Sequence, residues 1–60
     1  MIYVFLANGF EEVEAIGPVD VLRRAGLDVK LISVTNNLMV TGSHGIAVKT
    51  DALFEDTNFD

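Results

Sequence analysis

The spacing of apolar residues predicts a strand, a helix and a second strand in the first half of the chain. Residues 2–7 form an uninterrupted apolar run rich in β-formers, which is typical of a strand buried on both faces. After Asn8 and Gly9, residues 11–25 show a helical period, and residues 27–34 return to a strand-like pattern. This order predicts a βαβ unit, whose two strands pair in parallel through a right-handed crossover.

The predicted helix has suitable residues at both ends and one unfavourable residue inside it. Acids occupy its first turn, Arg23 and Arg24 occupy its last turn, and Gly26 follows, in agreement with helix-terminus preferences. Pro18 lacks the N–H that would bond to the carbonyl of Glu14. We therefore expect one helix with a distortion near Glu14 rather than two helices.

The second half of the chain predicts shorter elements. Residues 38–41 and 46–49 flank a turn-forming tetrapeptide that contains His44, so we expect a small antiparallel hairpin with His44 exposed in its turn. Residues 50–56 are predicted to form a loop, and Asp60 the approach to a further strand.

Composition limits the compartments and partners that the chain suits. Its 60 residues include no cysteine, so they hold no disulfide, thiolate zinc site or cysteine nucleophile. The net charge of −5, with only four lysines and arginines, argues against nucleic acid and anionic membrane surfaces as partners. No apolar run approaches the ~20 residues that cross a bilayer, and the N-terminus lacks the basic segment of a signal peptide. We therefore expect a cytoplasmic protein.

Length and apolar content together indicate part of a larger domain. Half of the residues are apolar and the mean hydropathy is +0.39, yet a chain this short buries only about 60% of its unfolded surface. A two-stranded parallel sheet with a hairpin would also expose long unpaired edges. We expect residues 1–60 to be the N-terminal part of a single larger α/β domain, ending before its third main strand.

Three carboxylates follow the first predicted strand, at the sheet edge where open α/β proteins bind ligands. Helical spacing places Glu14 on a stripe of small and apolar residues, while Glu12 falls beside Arg23 on a face that water can reach. Burial would raise the pKa of Glu14, and its neutral carboxyl could then donate a hydrogen bond to a thiolate or alkoxide. The alternative is an ordinary first-turn acid whose aliphatic part crosses apolar surface to water.

Two other uses of this acidic segment fit the residues less well. A phosphate cradle at the helix N-terminus would place Glu11 and Glu12 against the phosphate, with Gly9 as the single glycine of the loop. A magnesium site would need acids directly at the strand end, whereas Asn8, Gly9 and Phe10 intervene. We expect neither a metal nor a cofactor.

Two segments resemble a known family. Residues 9–14 read G-x-E-E-x-E and residues 18–26 read P-V-D-x-x-R-R-A-G, a combination that closely resembles the ThiJ/PfpI superfamily and, within it, the branch of the Parkinsonism-associated deglycase. Residues 41–43 and 50–53 fit the same branch, so the resemblance covers essentially the whole chain. It implies a flavodoxin-like, doubly wound parallel-sheet sandwich, usually dimeric, of which this chain supplies the first βαβ unit and a small hairpin.

The resemblance also implies which residues act. Members of the family have a reactive cysteine on a strand-to-helix elbow with a histidine nearby, and both would lie outside this chain. Glu14 matches the family's protonated glutamate, which holds that cysteine as a thiolate. Asp20 and Arg24 would lie near the site and the dimer contact. His44 stands where close relatives often carry arginine, near the partner subunit's site, so that anion binding there would depend on pH.

The implied function is attack of a thiolate on a reactive carbonyl such as an α-oxoaldehyde, a glyoxalase- or deglycase-like reaction. The partners would be that small carbonyl substrate, a second copy of the protein and the remainder of its own domain. A peptidase or amidase of the same superfamily and a non-catalytic, redox-sensing stress chaperone are the alternatives. The 60-residue chain alone would not be an enzyme, since it lacks the cysteine.

Overall fold

The computed structural model describes residues 1–59, which form two small sheets and one α-helix. In chain order the elements are β1 (Ile2–Leu6), α1 (Glu12–Arg24), β2 (Val29–Ser33), β3 (Met39–Thr41), β4 (Ala47–Lys49), β5 (Ala52–Leu53) and a 3-10 turn (Phe54–Asp56). The first sheet has the order β1-β2-β5, and the second consists of β3 and β4. The prediction made for Asp60 lies outside the described residues.

The first sheet confirms the parallel βαβ unit. β1 and β2 pair in parallel from Ile2 opposite Val29 to Leu6 opposite Ser33. Alternate residues of both strands face α1, which covers this side of the sheet. On this side of the sheet the buried core consists of Leu6, Val19, Val29, Leu31 and Val40. Since Val40 comes from β3, the same core joins the βαβ unit to the hairpin.

α1 begins and ends one residue inside the predicted range, at residues that cap it. Glu11 is the N-cap, and its side chain accepts a hydrogen bond from the backbone N–H of Val13 at 2.7 Å. At the other end Gly26 has a φ of 85°, and its N–H donates to the carbonyl of Arg23. Pro18 lies within a single helix, as predicted. Within residues 1–59, α1 falls short of the length and hydrophobicity that a bilayer-spanning helix needs.

The predicted hairpin is present, with Thr41 of β3 opposite Ala47 of β4, and each strand is one residue shorter than expected. Two backbone hydrogen bonds attach it to the segment between β1 and α1. The N–H of Gly9 donates to the Thr41 carbonyl, and the N–H of Ser43 donates to the Phe10 carbonyl, each at 2.8 Å. The hairpin turn is thereby held beside the carboxyl end of β1.

The loop prediction for residues 50–56 is wrong, because this segment contains both β5 and the 3-10 turn. β5 pairs in parallel with β2. Asp51, the residue just before β5, also forms hydrogen bonds to β2. The N–H of Asp51 donates to the Leu31 carbonyl, and its carboxylate accepts from the N–H of Leu31 at 2.7 Å. The short strand therefore depends on a partner twenty residues earlier, which a local pattern does not reveal.

The face of the first sheet opposite α1 is only partly covered within residues 1–59, where Ile32 is buried but the aromatic residues of β1 are not. Tyr3 and Phe5 project there by strand alternation and contact Phe54 and Phe59, with ring centroids 4.8 to 5.9 Å apart. Phe5 and Phe54 are half exposed. The expectation that β1 is buried on both faces is therefore met on one face only by the described residues.

Candidate functional site

The candidate site lies where β1 leads into α1, and its three carboxylates have different environments. The Glu11 side chain caps the N-terminus of α1, because its Oε1 accepts hydrogen bonds from the N–H groups of Val13 and Glu14 at 2.7 and 3.4 Å. A phosphate at this helix N-terminus would compete with that carboxylate for the same donors. The local contacts therefore disfavour a phosphate cradle, in line with the sequence prediction.

Glu12 is the buried acid, and the expectation that it lies on a solvated face is wrong. It is only 6% exposed and accepts three hydrogen bonds from the hairpin turn. Its Oε2 accepts from the backbone N–H groups of His44 and Ile46 at 2.8 and 3.3 Å, and its Oε1 lies 2.8 Å from His44 Nδ1. Gly42 is buried against the same carboxylate, and a Cβ at position 42 would overlap it.

The burial of Glu12 follows from the helix face that packs on the sheet. Glu12 precedes Ile16 and Val19 at helical spacing, so it occupies the N-terminal end of the stripe that faces the core. Arg23 lies at the other end of that stripe, where its guanidinium donates to the Val29 carbonyl at 2.8 Å and to Asp51 at 3.0 Å. Charges therefore cap both ends of an apolar stripe, and each has partners outside the helix.

The hydrogen bonds to Glu12 control its charge and that of His44. Burial raises the pKa of the Glu12 carboxyl, but donation from the His44 ring and from the backbone N–H groups of residues 12, 44 and 46 outweighs it and lowers the pKa to about 2. The hydrogen bond to Glu12, the charge of Glu12 and then the charge of Glu11 raise the pKa of His44 above its usual 6.5. Both groups therefore favour their charged forms.

His44 lies where the sequence predicted, in the turn of the hairpin, with its side chain 68% exposed. Glu11, Glu12 and His44 offer oxygen and nitrogen atoms within 4.8 Å of one another. However, Glu12 Oε1 and His44 Nδ1 are already hydrogen-bonded to each other, and Glu12 Oε2 accepts two backbone N–H groups. The contacts favour a hydrogen-bonded connection between helix and hairpin.

Glu14 has the opposite environment from the one expected. Its side chain is exposed and makes no hydrogen bond or ion pair with another side chain of residues 1–59. The small and apolar stripe to which it belongs faces away from the sheet, and Val13 and Val21 on that side are 77% and 64% exposed. The prediction that Glu14 is buried is therefore wrong within this chain, because the described residues do not cover that stripe. Its catalytic role stays a prediction.

Asp20 and Arg24 form an exposed ion pair one turn apart on α1, with Asp20 Oδ1 3.2 Å from Arg24 Nε. No hydrogen bond or ion pair among residues 1–59 joins either of them to Glu14 or His44. The structure therefore brings His44 together with Glu12 and leaves the other predicted site residues apart. Their proximity to an active site or dimer contact stays a prediction.

An open apolar groove of about 510 Å³ lies between α1 and the hairpin. It is lined by Glu12, Val13, Ile16, Gly17, Asp20, Ile46 and Val48. Sequence reasoning missed the hairpin's part in this surface, namely Ile46 and Val48. The spacing of Glu12 with Ile16 and Val19 was the available signal that the N-terminal end of the buried stripe points at another element.

The comparisons with known proteins agree on one family. The DJ-1/PfpI family model matches residues 1–60. Protein DJ-1 homolog B of Arabidopsis thaliana is 45% identical over 51 residues, which are 85% of this chain and 12% of that protein. Deglycase PfpI of Pyrococcus furiosus is 41% identical over 54 residues, which are 90% of this chain and 32% of that protein. The chain therefore spans less than a third of the length of these relatives.

A solved structure supports the fold over nearly the whole chain. A crystal structure of a cysteine-to-alanine mutant of a DJ-1 superfamily protein from Salmonella typhimurium superimposes with a TM-score of 0.88 and 36% identity. The match covers 92% of this chain and 30% of that one. The flavodoxin-like α/β fold predicted from the sequence is confirmed for this part of the domain.

Proposed function

Because the chain belongs to the DJ-1/PfpI family, we propose that it is the N-terminal segment of a cysteine-dependent enzyme acting on reactive carbonyls. The reaction would be glyoxalase- or deglycase-like, and the relative named Deglycase PfpI supports this class. Glu14 would supply a protonated carboxyl to a cysteine outside this chain. The 60 residues contribute that carboxyl and the sheet edge at which it lies.

The observation that carries the proposal is the different use of the three carboxylates. Glu11 caps α1 and Glu12 holds the hairpin turn, so both have their acceptor atoms engaged. Glu14 alone of the three projects from the first turn of α1 without a side-chain partner among residues 1–59. It is therefore the acid that remains available to a group from the rest of the domain.

The proposed role of Glu14 as a proton-bearing carboxyl requires that the remainder of the domain cover its side chain. Its surroundings on α1 are small or apolar, so burial there would raise the pKa of its carboxyl and keep the proton on it. A neutral carboxyl donates a hydrogen bond to a thiolate, which favours the charged form of the cysteine. The thiolate sulfur would then form a bond to the carbonyl carbon, and the electron pair of the carbonyl bond would move to its oxygen.

The test is the alkylation rate of the thiol against pH in the complete protein. Glu14→Gln keeps a weaker donor and should raise the pKa of the cysteine, while Glu14→Leu removes the donor and should raise it further. Asp28→Asn is the matched control, because Asp28 is an exposed acid at the opposite edge of the sheet, just before β2. An unchanged thiol titration in Glu14→Leu would refute the role.

Substrate assays separate the reaction classes. Consumption of an α-oxoaldehyde that falls in Glu14→Leu supports the carbonyl reaction. Cleavage of a peptide or amide substrate instead would assign the complete protein to the peptidases or amidases of the superfamily. A thiol that is oxidised readily but turns over neither substrate would favour the redox-sensing role.

We also propose that a second copy of the complete protein covers the exposed side of α1 at Val13 and Val21, beside the part of the domain that covers Glu14. Val13 and Val21 are exposed there, and the apolar groove continues the stripe toward Ile46 of the hairpin. Contiguous apolar surface of this kind commonly marks an interaction site. The nearby pair of Asp20 and Arg24 would supply the polar rim of such a contact.

A further inference from the structure

The hydrogen bonds that the Glu12 carboxylate accepts from other residues all come from the hairpin turn, within residues 1–59. A nearly buried carboxylate accepts two backbone N–H groups and one titratable ring from a single loop. Gly42 makes room for that carboxylate, because any Cβ there would overlap it. We propose that Glu12 and His44 form a proton-operated latch, which holds residues 42–46 against the N-terminus of α1.

The latch has two arrangements that differ in the partner of His44 Nδ1. When the ring is protonated, Nδ1–H donates to Glu12 Oε1 across 2.8 Å. When the ring is neutral with its proton on Nε2, Nδ1 is an acceptor and can no longer bond to that carboxylate. The Ser43 hydroxyl lies 3.1 Å from Nδ1 and can donate to it instead. Loss of the Nδ1 proton therefore transfers the ring from Glu12 to Ser43, whereas loss of the Nε2 proton leaves an uncharged and weaker Nδ1–H bond to Glu12, so the latch weakens in either neutral form.

The surrounding charges set the direction of the pH dependence. Glu11 and Glu12, the N-cap and first residue of α1, are the charged groups among residues 1–59 that face the ring, and from the hairpin the hydroxyl of Ser43 contacts it. The raised pKa of His44 means that the latch is fully closed below the usual 6.5 and opens as the pH rises through the raised value. The lowered pKa of Glu12 means that the latch weakens only as the pH falls below 4.5 toward about 2.

The latch controls a wall of the apolar groove. Ile46 belongs to the latched loop, its N–H donates to Glu12 Oε2, and its side chain lines the groove opposite Val13 and Ile16. In the open state the two backbone hydrogen bonds to Glu12 remain, but the ring no longer supports them. We expect greater mobility of residues 44–46 rather than loss of the hairpin. This inference concerns the loop and is independent of the cysteine chemistry.

The test is amide hydrogen exchange in the complete protein, followed by NMR as protection factors across the titration of His44. The N–H groups of His44 and Ile46 should lose protection several-fold as the ring loses its proton, while that of Leu31 in β2 serves as an internal control. His44→Ala should give low protection at every pH. His44→Arg keeps a positive charge and should give high protection throughout.

Ser43→Ala tests the exchange of partners directly. Removing the hydroxyl destabilises the neutral ring, so the pKa of His44 read from its ring resonances should rise above that of the unmodified protein. Protection of His44 and Ile46 that does not change with pH would overturn the proposal. A pH dependence of protection that persists unchanged in His44→Ala would also overturn it. That variant removes the titrating ring but keeps Glu12 and its backbone N–H donors.

Discussion

Replacing Gly42 by alanine tests the geometry around Glu12 most directly. Gly42 is not among the glycines with a positive φ, so alanine there does not enter the left-handed region that favours glycine. The added Cβ, however, would overlap the carboxyl group of Glu12, which three hydrogen bonds from the hairpin turn hold in place. Either the carboxylate leaves its donors or the loop moves outward.

The expected cost is that of overpacking a filled site, about 1–3 kcal/mol in the free energy of unfolding. A double-mutant cycle with Glu12→Ala separates this steric effect from any general sensitivity of the loop. With the carboxylate removed, the methyl group of Ala at position 42 has room, and Gly42→Ala should cost much less. Gly17→Ala is the control, since nothing among residues 1–59 lies within 4 Å of a Cβ there, so this alanine should show no dependence on the Glu12 side chain.

Urea unfolding of the complete protein, followed by far-ultraviolet circular dichroism, provides these free energies. The slope of the free energy against urea should stay constant among the variants, so that midpoints can be compared. Equal costs of Gly42→Ala in the presence and absence of the Glu12 side chain would refute the reasoning. A Gly42→Ala variant with the same free energy of unfolding as the unmodified protein would refute it as well, because the Glu12 carboxylate could then not lie against Gly42.

Two further variants test the packing and the proposed association. Val40→Ala removes fully buried atoms of the hairpin from the shared core and should cost about 2–3 kcal/mol, whereas Met39→Ala, from the opposite face of β3, should cost less than about 1 kcal/mol in the same urea experiment. Val21→Lys should convert a dimer of the complete protein into monomers in size-exclusion chromatography with light scattering, while Asp28→Lys at the far edge of the sheet should leave it dimeric. A monomeric unmodified protein would contradict the second prediction.

The order of elements could be predicted because its signals are local. The apolar run of residues 2–7 and the change to a helical period need no knowledge of distant residues. The helix ends follow from Glu11, whose carboxylate reaches N–H groups two and three residues away, and from Gly26, whose positive φ suits glycine. The motif at residues 9–14 likewise placed the candidate site at the carboxyl end of β1.

The environment of each charged side chain was decided by the tertiary structure. Glu12 and Glu14 are both glutamates and lie two positions apart, yet Glu12 is buried against the hairpin and Glu14 is exposed. The difference arises from loop residues more than thirty positions later, which supply the donors for Glu12. β5 has the same origin, since its two residues pair with a strand twenty positions earlier, and Asp51 bonds to Leu31 of that strand. Periodicity determines which residues form a helix or strand, whereas the pKa of a carboxyl depends on the groups that folding brings within hydrogen-bonding distance of it.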